Sequence, residues 1–86
     1  MKVSKKDVAE YVEISTRYWT MDESDLDELI KTARQKHETA DRVFGANEEL
    51  SGCIDDRVMW EDSVTVDEAC QLLRDKGVEV VEDGDV

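Results

Sequence analysis

The sequence has no proline, one histidine, two cysteines and only five aromatic residues among its 86 positions. Without proline, and with only four glycines, it contains no segment that resembles a linker between domains. No apolar run approaches the roughly 20 residues that a membrane-spanning helix needs. The first residues lead into a polar helix instead of an export signal. These absences predict a cytoplasmic protein without membrane contact.

Histidine and cysteine are too few and too widely spaced for a recognisable metal site. Cys53 and Cys70 lack CxxC spacing, and His37 is the only histidine, so a zinc site would have to gather all three with a distant carboxylate. We expect two reduced thiols that pack as small apolar groups. His37 falls on an apolar helix stripe, which favours a core or boundary position. No catalytic signature is present, so we predict no enzymatic activity, no metal and no cofactor.

Positive charge is scarce: 11 lysines and arginines face 23 aspartates and glutamates, which gives a net charge of -12. Residues 1–43 contain 8 basic and 10 acidic residues, whereas residues 44–86 contain 3 and 13, so the two parts carry charges of -2 and -10. The negative electrostatic field of this charge repels nucleic acid and anionic membranes and attracts basic protein surfaces. We therefore expect a protein partner with a basic surface, and no direct nucleic-acid binding.

The length and the apolar content predict one small folded domain. A chain of this size buries about 60% of the surface that its unfolded form exposes, which allows one core but not two. Apolar residues make up 40% of the sequence, which is too many for a chain kept disordered by its charge. We assign residues 1–81 to this domain and residues 82–86 to a flexible acidic tail.

Capping residues and apolar spacing predict two helices in the first half of the chain. A capping box at Ser4 predicts a helix over residues 5–18. The second helix is predicted to start at Thr20 or Ser24 and to end near Phe44. Its apolar stripe consists of Leu26, Leu29, Ile30, Ala33, His37, Ala40 and Phe44.

The pattern in the second half is less uniform. In residues 46–63 the pattern allows a helix, but residues 57–60 could equally form a short strand, so we predict a helix over 47–57 followed by an extended segment over 58–60. A capping box at Thr65 predicts a further helix, and a strand over 78–81 follows it. Together the elements predict a mainly helical α+β domain, with three to four helices and one to three short strands near the C-terminus.

Adjacent carboxylates are the most distinctive feature of the second half. Neighbours in sequence do not face each other on a helix, so these pairs do not predict acid–base catalysis, and acids at helix starts often have only a structural role. Their spacing does suit phosphate mimicry. A nucleic-acid strand has one phosphate about every 3.4 Å, while a helical turn advances about 5.4 Å and a strand residue about 3.3 Å. The predicted partner-binding residues are Asp55, Asp56, Glu61, Asp62, Asp67, Glu68, Glu79, Glu82, Asp83 and Trp60.

In composition the chain resembles the small acidic inhibitors that phages and mobile elements encode against host nucleic-acid enzymes, such as anti-restriction and anti-CRISPR proteins. The resemblance and the charge together imply a DNA mimic that acts in the host cytoplasm and inhibits a nucleic-acid-binding protein by placing carboxylates in its basic groove. No stretch matches a diagnostic family motif. The alternative is a general adaptor that binds through an apolar patch around Trp19 and Trp60, whose indoles we expect to be partly buried. A third explanation is that the acids only keep the protein soluble.

Overall fold

Four helices and two short strands form the part of the chain that the structure describes, which is residues 1–22, 24–45 and 47–82 of a computed structural model. Their order is β1 (Lys2–Ser4), α1 (Lys5–Thr20), α2 (Leu26–Phe44), α3 (Glu48–Glu61), α4 (Val66–Asp75) and β2 (Glu79–Val81). The predicted mainly helical α+β class is confirmed. No helix within these ranges is long and apolar enough to cross a membrane.

Side-chain caps fix the starts of α1 and α4 where the sequence predicts them. The Ser4 hydroxyl accepts a hydrogen bond from the backbone N–H of Asp7 at 3.1 Å. The Thr65 hydroxyl accepts from the backbone N–H of Glu68 at the same distance. Each cap satisfies a first-turn amide that has no partner inside its helix, which is why a local sequence pattern locates these boundaries well.

The start of α2 differs from its prediction. Neither Thr20 nor Ser24 caps this helix; the cap is Asp25, whose carboxylate accepts from the backbone N–H of Glu28 at 3.1 Å. The Thr20 hydroxyl instead donates to the Thr16 carbonyl at 2.7 Å and belongs to the last turn of α1. Several hydroxyl and carboxylate residues compete for this boundary, and the sequence does not rank them.

The third helix continues through residues 58–60, where we predicted an extended segment. Val58 is 1% exposed and extends the buried row formed by Leu50 and Ile54. Because this spacing of four residues is helical, burial of Val58 keeps the segment in α3. The helix ends at Asp62, which has a φ of 61° and whose N–H donates to the Val58 carbonyl at 2.7 Å.

A two-stranded parallel sheet joins the start of the chain to its last described element. The strand β1 was not predicted; it pairs with β2 so that Val3 lies beside Val80, and the Glu79 N–H donates to the Met1 carbonyl at 3.0 Å. The predicted strand over 78–81 is present from Glu79 onward. Val3 is only 5% exposed, so the pairing adds an apolar side chain to the core.

Side chains from all four helices meet in the core. Tyr11 and Phe44 pack edge to face with ring centroids 5.3 Å apart. Ile54 of α3 and Leu73 of α4 have no exposed surface. A burial of this extent stabilises the fold by roughly 1.5–3 kcal/mol for each large apolar side chain.

The inward face of α2 matches the predicted apolar stripe only near the end of the helix, where Ala40 and Phe44 contact the core. Thr32 and Thr39 are buried, whereas Leu26 and Ile30 are 64% and 57% exposed. The side chain of His37 is 77% exposed, so its predicted core or boundary position is wrong. Threonines occupy two of the buried positions of this helix and Val43 and Phe44 occupy two others, so hydropathy locates its buried face only in part.

Candidate functional site

Trp60 is the most exposed large apolar residue of the described chain. It lies in the last turn of α3 with 87% of its surface accessible, and its neighbour Met59 is 53% exposed. The expectation of partial burial is therefore wrong for Trp60. Trp19 is less exposed, at 39%, and packs edge to face on Tyr18 at a centroid distance of 4.9 Å, but it does not join the core cluster. An exposed tryptophan of this kind is a frequent anchor of protein interfaces.

One face of α3 borders a shallow groove next to Trp60. Residues three, four, seven and eight apart share a helix face, and five such residues line the groove together with one residue of α4. Its volume is about 340 Å³, and its lining residues are Cys53, Asp56, Arg57, Trp60, Glu61 and Leu72. The indole and the leucine supply apolar walls, and Asp56 supplies a carboxylate on the same helix face.

Three predicted site acids have no cation beside them. We define the α3–α4 corner as residues 56–68, which contain the end of α3, the connecting loop and the first turn of α4. Within the described ranges, no lysine or arginine forms an ion pair with Asp56, Asp62 or Glu68, and all three residues are exposed. Together with Trp60, they give the corner an apolar anchor next to unneutralised negative charge.

The acids at the end of α3 are placed where they oppose stability. The carboxyl end of a helix is the negative end of its dipole, so acidic side chains there are unfavourable. Glu61 occupies the last turn and Asp62 follows it, and the last turn contains no basic residue. Asp62 also has left-handed backbone geometry, with φ 61° and ψ 0°, which favours glycine. Neither the charge nor the side chain at Asp62 is therefore explained by folding.

Four other predicted site acids form exposed ion pairs. Lys5 lies 3.2 Å from Asp67 and 3.5 Å from Glu82, and the hydrogen bond that the Lys5 ammonium donates to Asp67 raises the pKa of Lys5. The remaining pairs are Lys2 with Glu79 at 3.8 Å and Arg57 with Glu61 at 3.3 Å. Exposed ion pairs contribute about 0–1 kcal/mol to stability. Cations of another protein can therefore replace the lysines and arginine in these pairs at little cost in free energy. Asp83 lies outside the described residues.

Asp55 is held inside the helix packing and does not lie on the open surface. Its carboxylate is 14% exposed and accepts hydrogen bonds from the Tyr11 hydroxyl at 2.9 Å, the Ser15 hydroxyl at 2.6 Å and the Lys36 ammonium at 2.9 Å. Tyr11 and Ser15 have no exposed surface. Burial, and after it the charge of Asp55, raise the pKa of Tyr11 far above its usual range. We therefore assign Asp55 to the packing of α1, α2 and α3.

Lys36 connects this network to Trp19. Its ammonium lies 5.8 Å, 5.6 Å and 5.9 Å from the ring centroids of Tyr11, Tyr18 and Trp19, which are cation–π distances. No motif in the sequence indicated this cluster. A usable indication was the spacing of two hydroxyl side chains, Tyr11 and Ser15, which share a helix face with Val8 and Val12, because buried polar groups require partners.

The two cysteines are free thiols, one buried and one half-buried. Cys70 is 2% exposed, whereas Cys53 is half-buried and donates to the Leu50 carbonyl at 3.0 Å. Burial raises the pKa of both thiols, so each remains protonated near neutrality. Within the part of the chain that the structure describes, no group of three histidine, cysteine or acidic side chains is arranged to hold a metal ion.

Comparison of this chain with family models, with curated proteins and with solved structures finds no match. Its function is therefore inferred from the surface described above.

Proposed function

We propose that this chain is an acidic interaction protein that binds a basic surface of another protein through the α3–α4 corner. The observation that carries the proposal is the 87% exposed Trp60, which lines a groove with Asp56, in a segment where the exposed carboxylates Asp56, Asp62 and Glu68 form no ion pair within the described residues. An apolar anchor with charged residues around it is a typical arrangement for an interface core and its rim, and the charges here are mainly negative. The sign of the charge selects a basic partner.

The partner class that fits this chemistry best is a protein with a basic nucleic-acid-binding groove. Such grooves contain lysines and arginines spaced for phosphates, and a chain with a net charge of -12 competes for them. Occupation of the groove by the corner excludes the polynucleotide, so binding inhibits the partner. Asp56, Asp62 and Glu68 then act as the phosphate mimics. The acids that already form ion pairs exchange their internal cations for those of the groove on binding; these are Glu61, Asp67, Glu79 and Glu82.

A general adaptor that binds through apolar contact remains the second candidate. The observation that favours it is the exposure of Leu26 and Ile30, at 64% and 57%, near the start of α2. The Trp19 indole is less suited to this role than Trp60 because Tyr18 and Lys36 already contact it. An adaptor of this kind predicts binding that depends little on salt, since apolar contacts are not screened.

Two triple variants with equal changes in charge test the proposal. In the first, Asp56→Asn, Asp62→Asn and Glu68→Gln neutralise the corner. In the control, Asp27→Asn, Glu38→Gln and Glu48→Gln neutralise three exposed acids outside it, none of which has an ion-pair partner in the described residues. Each immobilised protein is used to capture partners from a lysate at about 50 and 200 mM salt, and binding to each purified partner is then measured by titration.

We expect the corner variant to lose about tenfold in affinity, at roughly 0.5 kcal/mol per exposed charge, and the control to lose much less. Nucleic acid added to the complex should displace the chain from its partner. Equal losses for the two variants would show that only net charge matters. Binding that is unaffected by salt and by both variants would instead support the adaptor.

A further inference from the structure

We infer that the groove beside Trp60 receives an arginine side chain of the partner, with the guanidinium stacked on the indole and paired with Asp56. This inference rests on the proposed function and deepens it, because it names the side chain that the corner recognises. It concerns the face of α3 and the wall contributed by Leu72, which line the groove together.

The first reason is the chemistry of the groove lining. Its charged residues are Asp56, Arg57 and Glu61, and Arg57 and Glu61 neutralise each other at 3.3 Å. The unbalanced charge is therefore that of Asp56, which attracts one cation. The Trp60 and Leu72 side chains suit the alkyl stem of a long basic residue, which packs on apolar surface while its charged end stays hydrated.

The second reason is a parallel inside the molecule. Lys36 is bound by an aromatic group that includes Trp19, at 5.9 Å, and by the Asp55 carboxylate, at 2.9 Å. At the groove, Trp60 and Asp56 repeat the pair of an indole and a carboxylate, and they lie four residues apart on one helix face. No cation of the described chain fills this second pair, so a cation from a partner completes it.

Arginine fits the groove better than lysine. A guanidinium is planar, stacks on an aromatic ring and offers two parallel donors to one carboxylate, and it is more weakly hydrated than an ammonium. Tryptophan is also the best aromatic partner for a cation. The exposure of Trp60 leaves its ring available for such stacking.

The test uses two capped peptides, one with four arginines separated by glycines and one with four lysines in the same frame. Each is titrated into the isotopically labelled protein, and the two tryptophan indole N–H signals are followed by NMR. The variants Trp60→Ala and Asp56→Asn alter the proposed site. Their controls are Met59→Ala, which removes an exposed apolar neighbour that does not line the groove, and Asp27→Asn, which removes an exposed acid elsewhere.

We expect the arginine peptide to shift the Trp60 indole signal in a saturable manner and to leave the Trp19 signal nearly unchanged. Trp60→Ala should weaken binding at least about fivefold and Asp56→Asn about threefold, while the two controls bind as the unmodified protein does. The lysine peptide should bind about threefold more weakly than the arginine peptide.

Three outcomes would overturn the inference: no shift of the Trp60 signal, equal binding by Trp60→Ala and the unmodified protein, or equal affinity for the two peptides. None of these outcomes decides the proposed function, because the triple variants with the captured partner test that proposal separately. Conversely, the corner triple variant could bind the captured partner as well as the unmodified protein does while the arginine peptide still shifts the Trp60 signal in a saturable manner. That combination would leave an arginine site without the proposed inhibitory role.

Discussion

Asp55 and Asp56 are adjacent in sequence, and each is part of a pair between an indole and a carboxylate, but the two pairs are in opposite states. Asp55 is 14% exposed and binds Lys36 together with two buried hydroxyls. Asp56 is exposed and forms no ion pair in the described ranges. One residue rotates a position by about 100° around a helix, and this rotation separates an acid that holds three helices together from an acid that is free to bind a partner.

The largest effect is expected from breaking the internal pair. Asp55→Ala leaves the Lys36 ammonium and the hydroxyls of Tyr11 and Ser15 without their acceptor, so the free energy of unfolding should fall by about 3 kcal/mol. Urea denaturation followed by circular dichroism measures the change. Asp56→Ala is the matched control and should change stability by less than about 0.5 kcal/mol. Similar losses for the two variants would contradict the division of roles between these neighbours.

The two tryptophans sharpen the same comparison. Trp60→Ala should reduce partner affinity by about 2 kcal/mol and leave the free energy of unfolding within about 0.5 kcal/mol of the original value, because the indole is 87% exposed. Trp19→Ala should lower the free energy of unfolding and leave partner affinity nearly unchanged, since the Trp19 indole contacts Tyr18 and Lys36. Calorimetric titration with the captured partner, combined with urea denaturation, measures both quantities. A clear decrease in the free energy of unfolding for Trp60→Ala would instead mean that this indole contributes to folding.

Alkaline pH should weaken the internal cluster without affecting the corner. The pKa of Tyr11 is raised in the folded state, and an unfolded tyrosine has a pKa of about 10. Stability from this group is therefore complete below pH 10 and is lost as the pH rises above it, by up to about 1.4 kcal/mol per pH unit. Urea denaturation of the original protein and of Tyr11→Phe between about pH 9 and 11 isolates the contribution. The same pH slope in both proteins would show that Tyr11 is not responsible.

The smallest effect concerns the end of α3. Asp62→Gly removes a side chain from left-handed geometry and a negative charge from the negative end of a helix, so thermal denaturation should show stabilisation by about 1 kcal/mol. The same variant should weaken partner binding. Asp62→Asn separates the two contributions, because asparagine tolerates this geometry but carries no charge. A loss of stability in Asp62→Gly would mean that the carboxylate has a folding role.

Local patterns predicted the parts of this fold that local interactions determine. The caps at Ser4 and Thr65 depend on hydrogen bonds over three residues, and both are present. The strand β1 depends on pairing with β2 at the other end of the described chain, so nothing near Val3 indicates it. The inward face of the first half of α2 was misplaced because Thr32 is buried while Ile30 is exposed.

The candidate site was predictable in composition but not in arrangement. Charge counting indicated an acidic surface, and Asp56, Asp62 and Glu68 remain exposed. The separation of Asp55 from Asp56 required the exact rotational position of α3. The exposure of Trp60 depends on the same rotation of α3 about its axis, because the rotation that buries Val58 in the core directs Met59 and Trp60 toward solvent.

Cys53 lines the groove that we assign to arginine, whereas Cys70 is buried in the core. An alkylating reagent should therefore modify Cys53 slowly at neutral pH, where the raised pKa keeps it protonated, and faster under mildly alkaline conditions. A partner side chain seated in the groove should shield this sulfur. The rate of its modification thus gives a direct chemical footprint of occupancy in the native protein.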